Sequence, residues 1–543
     1  MEFNRDRKPL TKFILCDDGI YVCPDSQLTD FNYSDGYEIE NRIYQDIKQS
    51  QDLSIYSKEL TNKIVDWPSE YHFSPQRHNL LRHIKFTKSD NILELGCGCG
   101  AMTRFLGESG AAIDAIEGSS IRAKCAAARC RDLSNVNIYC SDFQSIEFEK
   151  KYDYVTLIGV LEYSPFFFES EDPFSSCVNI AKDALKPGGK LILAIENRLG
   201  LKYFMGLGED HTAVPFLGIQ DLYKKGTYKT FGRNELIDLF RSNGFENLDF
   251  YYPFPDYKLP EVILSEKAFQ VAGFSSIDLI YTLKSRDYSF EVKPLFSEKL
   301  VWQQLAKNGL VRDFSNSFLL VASLDGYESE LTSEELLAIK YILVRKKEYN
   351  TQTIFYQNKN EKSIKVKKVL LNDSNYIGND IIIHRLGEDN YYSGNNMARL
   401  IDNAVLTNDF DRFVKLLEVW IKFIIDKGLK VKNEKEIYCS IIRDEYIDCI
   451  PGNLILDGKN VYYIDKEWSF NENVQLSVFL MRYLIYYEKS DFINNNIQGE
   501  SSSLQKIFSF FKIPFNKNLY DNYKILDREI LCNIYSKEYI SKL

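Results

Sequence analysis

The segment Ile92-Leu93-Glu94-Leu95-Gly96-Cys97-Gly98-Cys99-Gly100 runs from an apolar, strand-like stretch into an acidic residue and three alternating glycines, just ahead of a helical stretch beginning near Ala101. Glycine lets backbone approach a ligand closely, and a helix N-terminus offers unpaired N–H groups and the positive end of a dipole. Such a loop can hold an anionic group of a cofactor. Gly96, Gly98 and Ala101 also nearly satisfy the G-x-G-x-x-G spacing of dinucleotide sites, so the loop alone leaves both kinds of ligand open. Glu117 ends the next apolar run, where a carboxylate can bind ribose hydroxyls in either class. Ser141-Asp142-Phe143 follows the run after that, and a carboxylate beside an aromatic ring can hydrogen-bond an adenine amine and stack on its face.

Those groups must be delivered to one edge by a repeating framework. From Asn91 to Val160 strand-like and helix-like segments alternate: NILEL, AMTRFLGESG, AIDAIE, SIRAKCAAARCRDL, NVNIYC and YDYVTLIGVL. Alternation of this kind implies parallel βαβ units. The series continues with a helix ending at Lys186, a turn at Pro187-Gly188-Gly189 and the strand KLILAIE. NLDFYYPF (247–254) and NSFLLVASL (316–324) are expected to complete the sheet, with an insertion over about 255–315 that shapes a substrate pocket. The expected fold is α/β, a Rossmann-like sheet with helices on both faces. Residues 1–66 read as an N-terminal appendage, 67–325 as the α/β domain, 326–337 as a linker and 338–543 as a second domain.

The order of Glu94, Glu117, Asp142, the Asp153 strand and the LKPGG turn resembles the class I S-adenosylmethionine-dependent methyltransferases over about residues 67–325. The E-x-G-x-G-x-G form sets the loop apart from the dehydrogenases. The resemblance implies S-adenosyl-L-methionine as cofactor, held by Glu94, Gly96, Gly98, Gly100, Glu117, Asp142, Phe143 and Gly159. A narrower resemblance lies in YHFSPQRHNLLR (71–82), LIGVLEYS (157–164), AIENRLGLKYFMGLGEDH (194–211), KTFGR (229–233) and YPFPDYKLP (252–260). These phrases are similar to methyltransferases of bacterial surface-polysaccharide (O-antigen and capsule) gene clusters. The implied acceptor is a surface glycan, its lipid-linked precursor or a glycan-linked phosphate, and the implied partners are glycosyltransferases of the same pathway.

A sulfonium methyl is already activated, so catalysis needs an in-line nucleophile near it and, for a hydroxyl acceptor, a general base. Of the five histidines, His211 follows AIEN on the ligand edge, with Glu209 and Asp210 adjacent to raise its basicity. It is the first candidate base. Glu162 and Tyr163 end the fourth strand as substrate-facing groups, Tyr71 and His72 are expected to form a lid, and Arg77 to hold the cofactor carboxylate or an anionic substrate. For a phosphate or carboxylate acceptor no base is needed, and Arg77, Lys202 or Arg233 would matter more.

In the second domain, Asp448-Cys-Ile-Pro-Gly-Asn453 precedes an apolar strand that ends at Asp465. That spacing resembles kinase-like phosphotransferases, in an α+β domain, and implies Asp448 as hydroxyl-proton acceptor, Asn453 and Asp465 as magnesium ligands and Lys368 as phosphate lysine, with ATP as a further cofactor. The sequence departs from that pattern. TQTIFYQNKNEKS lacks glycine where a phosphate-covering loop should lie, Tyr446 replaces the HRD histidine, and Lys466-Glu467-Trp468 follows Asp465. An inactive domain therefore stands beside the active reading, as does a simple hairpin, NLILDGKNVYYID, turning at Asp457-Gly458.

Composition sets the bounds. A chain of 543 residues exceeds a single core, and 45% hydrophobic with 27% charged residues is ordinary for folded protein. A net charge of −10 argues against nucleic acid as partner. Eleven cysteines without framework spacing imply reduced thiols, a cytoplasmic setting, and at most peripheral contact with the inner face of the membrane, since no run approaches the ~20 apolar residues of a spanning helix. A scaffold of a polysaccharide-assembly complex, catalytically silent, is the alternative to an enzyme.

Overall fold

The computed structural model describes residues 7–24, 36–287, 293–324, 336–358, 362–372 and 378–540. The expected linker falls almost wholly outside them. The chain forms two compact units, the first comprising residues 1–270 and 282–340, the second 271–281 and 341–543.

The first unit is built on strands β1 (Asn91–Leu95), β2 (Ala112–Glu117), β3 (Val136–Cys140), β4 (Tyr152–Ile158), β5 (Leu185–Glu196), β6 (Asn247–Phe254) and β7 (Ser317–Ser323). They lie side by side as β3-β2-β1-β4-β5-β7-β6. β1 to β5 run parallel, and β7 is antiparallel to both β5 and β6. Central strands covered on both sides should read as unbroken apolar runs, and Leu191 to Ile195 on β5 are all fully buried. Successive right-handed crossovers travel one way from β1 to β3 and the other way from β4 to β5, which puts their helices on opposite faces. Helices Ala101–Glu108 and Ser120–Arg129 serve the first half, and Pro173–Asp183 the second.

Two features differ from the sequence reading. The helix before β5 stops at Asp183 instead of Lys186, because Leu185 already pairs with Tyr152 of β4. Lys186-Pro187-Gly188-Gly189 then forms an irregularity inside β5, with Gly188 at φ 76° and Lys190 re-entering the ladder opposite Tyr154. The insertion also adds to the sheet and to the second unit. Val262–Ser265 pairs antiparallel with β6, and residues 271–281 belong to the second unit. In the segment read as an appendage, Ile43, Ile47, Leu53 and Leu60 are buried in one cluster with Phe73, Cys99 and Cys125.

The second unit has an antiparallel set of strands, Thr351–Gln357, Ile364–Leu370 and Gly387–Asn390, and a hairpin of Leu454–Asp457 with Asn460–Tyr463. Its core gathers Trp420 of the helix Phe410–Lys427, Phe479 and Leu480 of Leu476–Leu484, and Ile530 of Lys517–Ile534.

Candidate functional site

Strand order reverses between β1 and β4, and the crevice at the carboxyl ends of such strands is where open α/β sheets bind ligands. A pocket of about 1000 Å³, partly open to solvent, occupies that position. The loop after β1 forms its floor. Gly96, Gly98 and Gly100 sit at φ 77°, 55° and 79°, the left-handed region open to glycine. A Cβ on Gly96 would lie 2.6 Å from Val160 Cγ2 and one on Gly100 2.7 Å from Ala126 Cα, whereas one on Gly98 would meet nothing within 4 Å. Gly96 and Gly100 are therefore needed for packing, and Gly98 leaves backbone open toward a ligand. Gly96 and Gly98 line the pocket, while Gly100 lies behind it as the residue before the helix Ala101–Glu108.

Each strand end adds one polar group. Glu117 accepts hydrogen bonds from Gly98 N at 2.7 Å and Ser119 N at 2.9 Å, so its carboxylate also shapes the loop. Asp142 accepts from Gln144 N at 3.0 Å, fixing the turn that presents Phe143. Glu117, Asp142 and Phe143 all face the pocket. So does Glu94, whose Oε2 is buried without a hydrogen-bond partner among the described residues. Burial, aided by the charge on Glu117, pushes its carboxyl up to about 7 against the pull of Thr103 and Arg77.

Tyr71, His72 and Arg77 complete the wall from the helix Trp67–Phe73 and the turn after it. Arg77, expected from the sequence to hold the cofactor carboxylate or an anionic substrate, lines the pocket. Its guanidinium donates to Tyr257 O at 2.9 Å, Lys258 O at 3.2 Å and Tyr71 Oη at 2.9 Å, bracing the wall against the 255–260 segment. Lys202 and Arg233 are likewise engaged, with Asp210 and with Glu266. The wall includes Met102, Arg122 and Phe167, which the sequence did not single out. Arg122 was hidden because its partner, Glu40 at 2.6 Å, comes from a distant helix.

Beyond β4, Gly159 lines the pocket, and Tyr163 follows on the turn Leu161–Tyr163. The Tyr163 hydroxyl lies 2.8 Å from His211 Nδ1, and the Tyr228 ring stacks on the imidazole at 5.3 Å. His211 does not itself line the pocket; it connects through Tyr163. Of the adjacent carboxylates expected to raise its basicity, Glu209 does so, and two further carboxylates join it. Glu209 accepts from the His211 backbone N–H, and Asp210 pairs with Lys202 and Lys258. Facing the ring are Glu196, at 3.6 Å from Nε2, and Glu162. Burial would lower the His211 pKa, but Glu196, Glu209 and Glu162 raise it to about 9. Burial and the charge on Glu196 push Glu162 up to about 8, whereas Lys258, 2.7 Å from Glu196, holds Glu196 well below the usual carboxylate range. Glu162, Glu196 and His211 each offer a ligand atom within 4.8 Å of the others.

In the second unit, Lys368 is buried and pairs with Asp465 and, at 2.7 Å, with Glu467. Glu467 also binds Arg345 at 2.5 Å and His384 at 2.8 Å. Asn453 Nδ2 donates to Asp448 Oδ2 at 2.9 Å, and burial with the charges of Asp465 and Glu467 raises the Asp448 carboxyl to about 6, against Arg482. Asp465 stands in left-handed backbone at φ 52°. Glu467 was noted in the sequence only as a departure from a motif, yet it is the carboxylate around which both cations gather.

Comparison with known proteins bears on the first unit. A family described as a methyltransferase domain matches residues 93–191. The ubiquinone biosynthesis O-methyltransferase of Coxiella burnetii is 29% identical over 167 residues, covering 30% of this chain and 66% of the relative. That of Hydrogenovibrio crunogenus is 26% identical over 137 residues, covering 25% of this chain and 54% of the relative. The chain thus spans just under two thirds of the length of the first of these relatives and about half of the other. Among solved structures, phosphoethanolamine N-methyltransferase 2 of Haemonchus contortus aligns with a TM-score of 0.28 at 17% identity, over 47% of this chain and 53% of that one. The N-methyltransferase NodS of Bradyrhizobium japonicum aligns with a TM-score of 0.27 at 13% identity, over 52% of this chain and 99% of that one. Among the described residues no helix is long and apolar enough to cross a membrane. The glycine loop, the carboxylates at three strand ends and the family match all fall in one segment, and together they mark residues 93–191 as an S-adenosylmethionine-dependent methyltransferase domain.

Proposed function

We propose that the chain is an S-adenosylmethionine-dependent O-methyltransferase whose acceptor is a hydroxyl of a bacterial surface glycan or of its lipid-linked precursor. The observation that carries the hydroxyl is the Tyr163–His211 contact of 2.8 Å, which joins the pocket wall to a buried carboxylate system and gives the acceptor proton a route out once His211 is in its neutral form. In this reading the methyl donor lies along Gly96, Gly98, Glu117, Asp142 and Phe143, with Glu94 facing its ammonium. The acceptor oxygen approaches beside Gly159 and Tyr163. The glycan reading rests on the phrases at 71–82, 194–211 and 252–260, which supply Tyr71, Arg77, Glu196, His211, Tyr257 and Lys258. These residues flank the segment 93–191 that the methyltransferase family model matches.

The test is transfer of a labelled methyl group from S-adenosylmethionine to two acceptor pools, lipid-linked glycans and a polyprenylated catechol. Label in the glycan pool supports the proposal, label in the catechol pool alone replaces the acceptor, and no label despite donor binding favours a scaffold.

For the second unit, the Lys368–Asp465 and Asn453–Asp448 pairs favour a phosphotransferase-like site for ATP and magnesium, with Asp448 accepting the proton of a glycan hydroxyl. Thermal stabilisation by ATP with magnesium, lost in Asp465→Asn, supports it. No stabilisation, or stabilisation unchanged in the variant, rules it out.

A further inference from the structure

We infer that Glu162, Glu196 and His211 form a site for one divalent transition-metal cation of the manganese or zinc type, at the acceptor end of the donor pocket; its catalytic role rests on the methyltransferase reading, but its occupancy does not. Two carboxylates and an imidazole are a donor set suited to such cations. Their ligand atoms lie within 4.8 Å of one another, and a cation with bonds of about 2.0–2.2 Å draws its ligands to roughly 3–4 Å apart, so small side-chain movements suffice.

The independent observation is what these atoms lack. Glu162 is completely buried, yet neither of its oxygens has a hydrogen-bond partner among the described residues, and His211 Nε2 has none either. Buried polar atoms are otherwise nearly always satisfied. The 3.6 Å between His211 Nε2 and Glu196 Oε2 is too long for a hydrogen bond and leaves a gap between the groups. Other charges around the site are accounted for. Lys258 takes Glu196 Oε1 at 2.7 Å and also Asp210, and Lys202 takes Asp210 at 2.6 Å, which leaves Glu196 Oε2 turned toward the imidazole.

The surroundings fit a ligating histidine. A metal-bound imidazole usually donates its second N–H to a neighbouring acceptor, which fixes the ring, and here Nδ1 lies 2.8 Å from Tyr163 Oη. Gly159 lines the pocket, and a Cβ there would stand 3.7 Å from Glu162 Oε1 and 2.9 Å from Tyr257 Oη. The missing side chain keeps the barrier between pocket and cation thin. A cation at this place sets positive charge next to Tyr163 and lowers the pKa of an acceptor hydroxyl held there.

The competing state has no metal, with Glu162 protonated and Lys258 supplying the charge. To decide, the full chain is stripped with EDTA and titrated with manganese(II), following loss of the free-ion electron paramagnetic resonance signal; S-adenosylhomocysteine affinity is measured in parallel. We expect one bound manganese per chain, weakened at least tenfold in Glu162→Gln and in His211→Gln, with S-adenosylhomocysteine binding and near-ultraviolet circular dichroism retained in both. No stoichiometric manganese or zinc binding by protein that still binds S-adenosylhomocysteine overturns the inference, as does binding that both variants leave unchanged. Should a variant misfold, Glu196→Gln and competition by zinc on the unaltered chain provide the same decision. Loss of S-adenosylhomocysteine binding with manganese binding intact would instead overturn the methyltransferase reading alone.

Discussion

Glu117 accepts the Gly98 backbone N–H at 2.7 Å, so the carboxylate that ends β2 holds in place the glycine whose open backbone faces the pocket. Two parts of the pocket, glycine loop and strand-end carboxylate, are therefore one piece. Replacing Glu117 by alanine should disturb both, and the expected loss of S-adenosylhomocysteine affinity, about 10–100-fold, reflects a charge-assisted hydrogen bond worth roughly 1.5–3 kcal/mol.

The glycines should separate by what their Cβ would meet. Gly96→Ala forces a left-handed alanine and a 2.6 Å contact with Val160, which should cost about 2–5 kcal/mol in denaturant unfolding. Gly98→Ala meets nothing within 4 Å and should cost about 1–2 kcal/mol while still weakening the donor. Equal stability losses in the two variants would contradict this division of labour.

Glu94 predicts a pH dependence. Its carboxyl titrates near 7 in the free protein, and its ionised form is the one that attracts an ammonium. Affinity for S-adenosylhomocysteine should therefore rise between about pH 6 and 7.5. Glu94→Gln should bind about 10–100-fold more weakly at the upper end and lose the slope, as calorimetry at several pH values would report.

Tyr163→Phe removes the hydroxyl that faces His211 but keeps the ring. Methyl transfer should fall by about 10²–10⁴ in kcat, with the KM for the donor changed only a few-fold. A large rise in donor KM at unchanged kcat would make Tyr163 a cofactor contact and not part of the proton route.

In the second unit, Glu467 neutralises Arg345 and Lys368, and those two charges hold its pKa well below the carboxylate range despite burial. Glu467→Gln strands the buried Arg345 and leaves Lys368 with Asp465 alone, and should destabilise the unit by about 3–5 kcal/mol. A carboxylate with a lowered folded pKa contributes stability above its unfolded pKa of about 4.3, and that stability is lost as pH falls below it. Thermal unfolding of the unaltered chain should show acid destabilisation below about pH 4.5, diminished in the variant.

What was legible in the sequence followed from local constraints. The glycine loop shows because left-handed backbone and close packing leave no other residue at Gly96 and Gly100. Glu94, Glu117 and Asp142 show because each sits at the end of an apolar run, where chain direction alone brings it to one edge. Groups assembled across sequence distance did not show. Glu196 and Lys258 meet only because β5 and the 255–260 segment reach the same corner, and nothing near either residue announces the other. His211 was visible as a rare residue, and its neighbour Glu209 does raise its basicity, but Glu196 and Glu162, which act on it from other elements of the fold, were not visible as its partners. The PGG segment reads as a turn by residue type, yet pairing of Leu185 with Tyr152 turns it into an irregularity within a strand.

The central claim is that the crevice between β1 and β4 takes a methyl donor and not a dinucleotide. Calorimetric titration of the purified chain with S-adenosylhomocysteine and, separately, with NAD tests it most directly. The structure predicts saturable one-to-one binding of S-adenosylhomocysteine, weakened by Glu117→Ala, and no heat from NAD; binding of NAD without S-adenosylhomocysteine would contradict it.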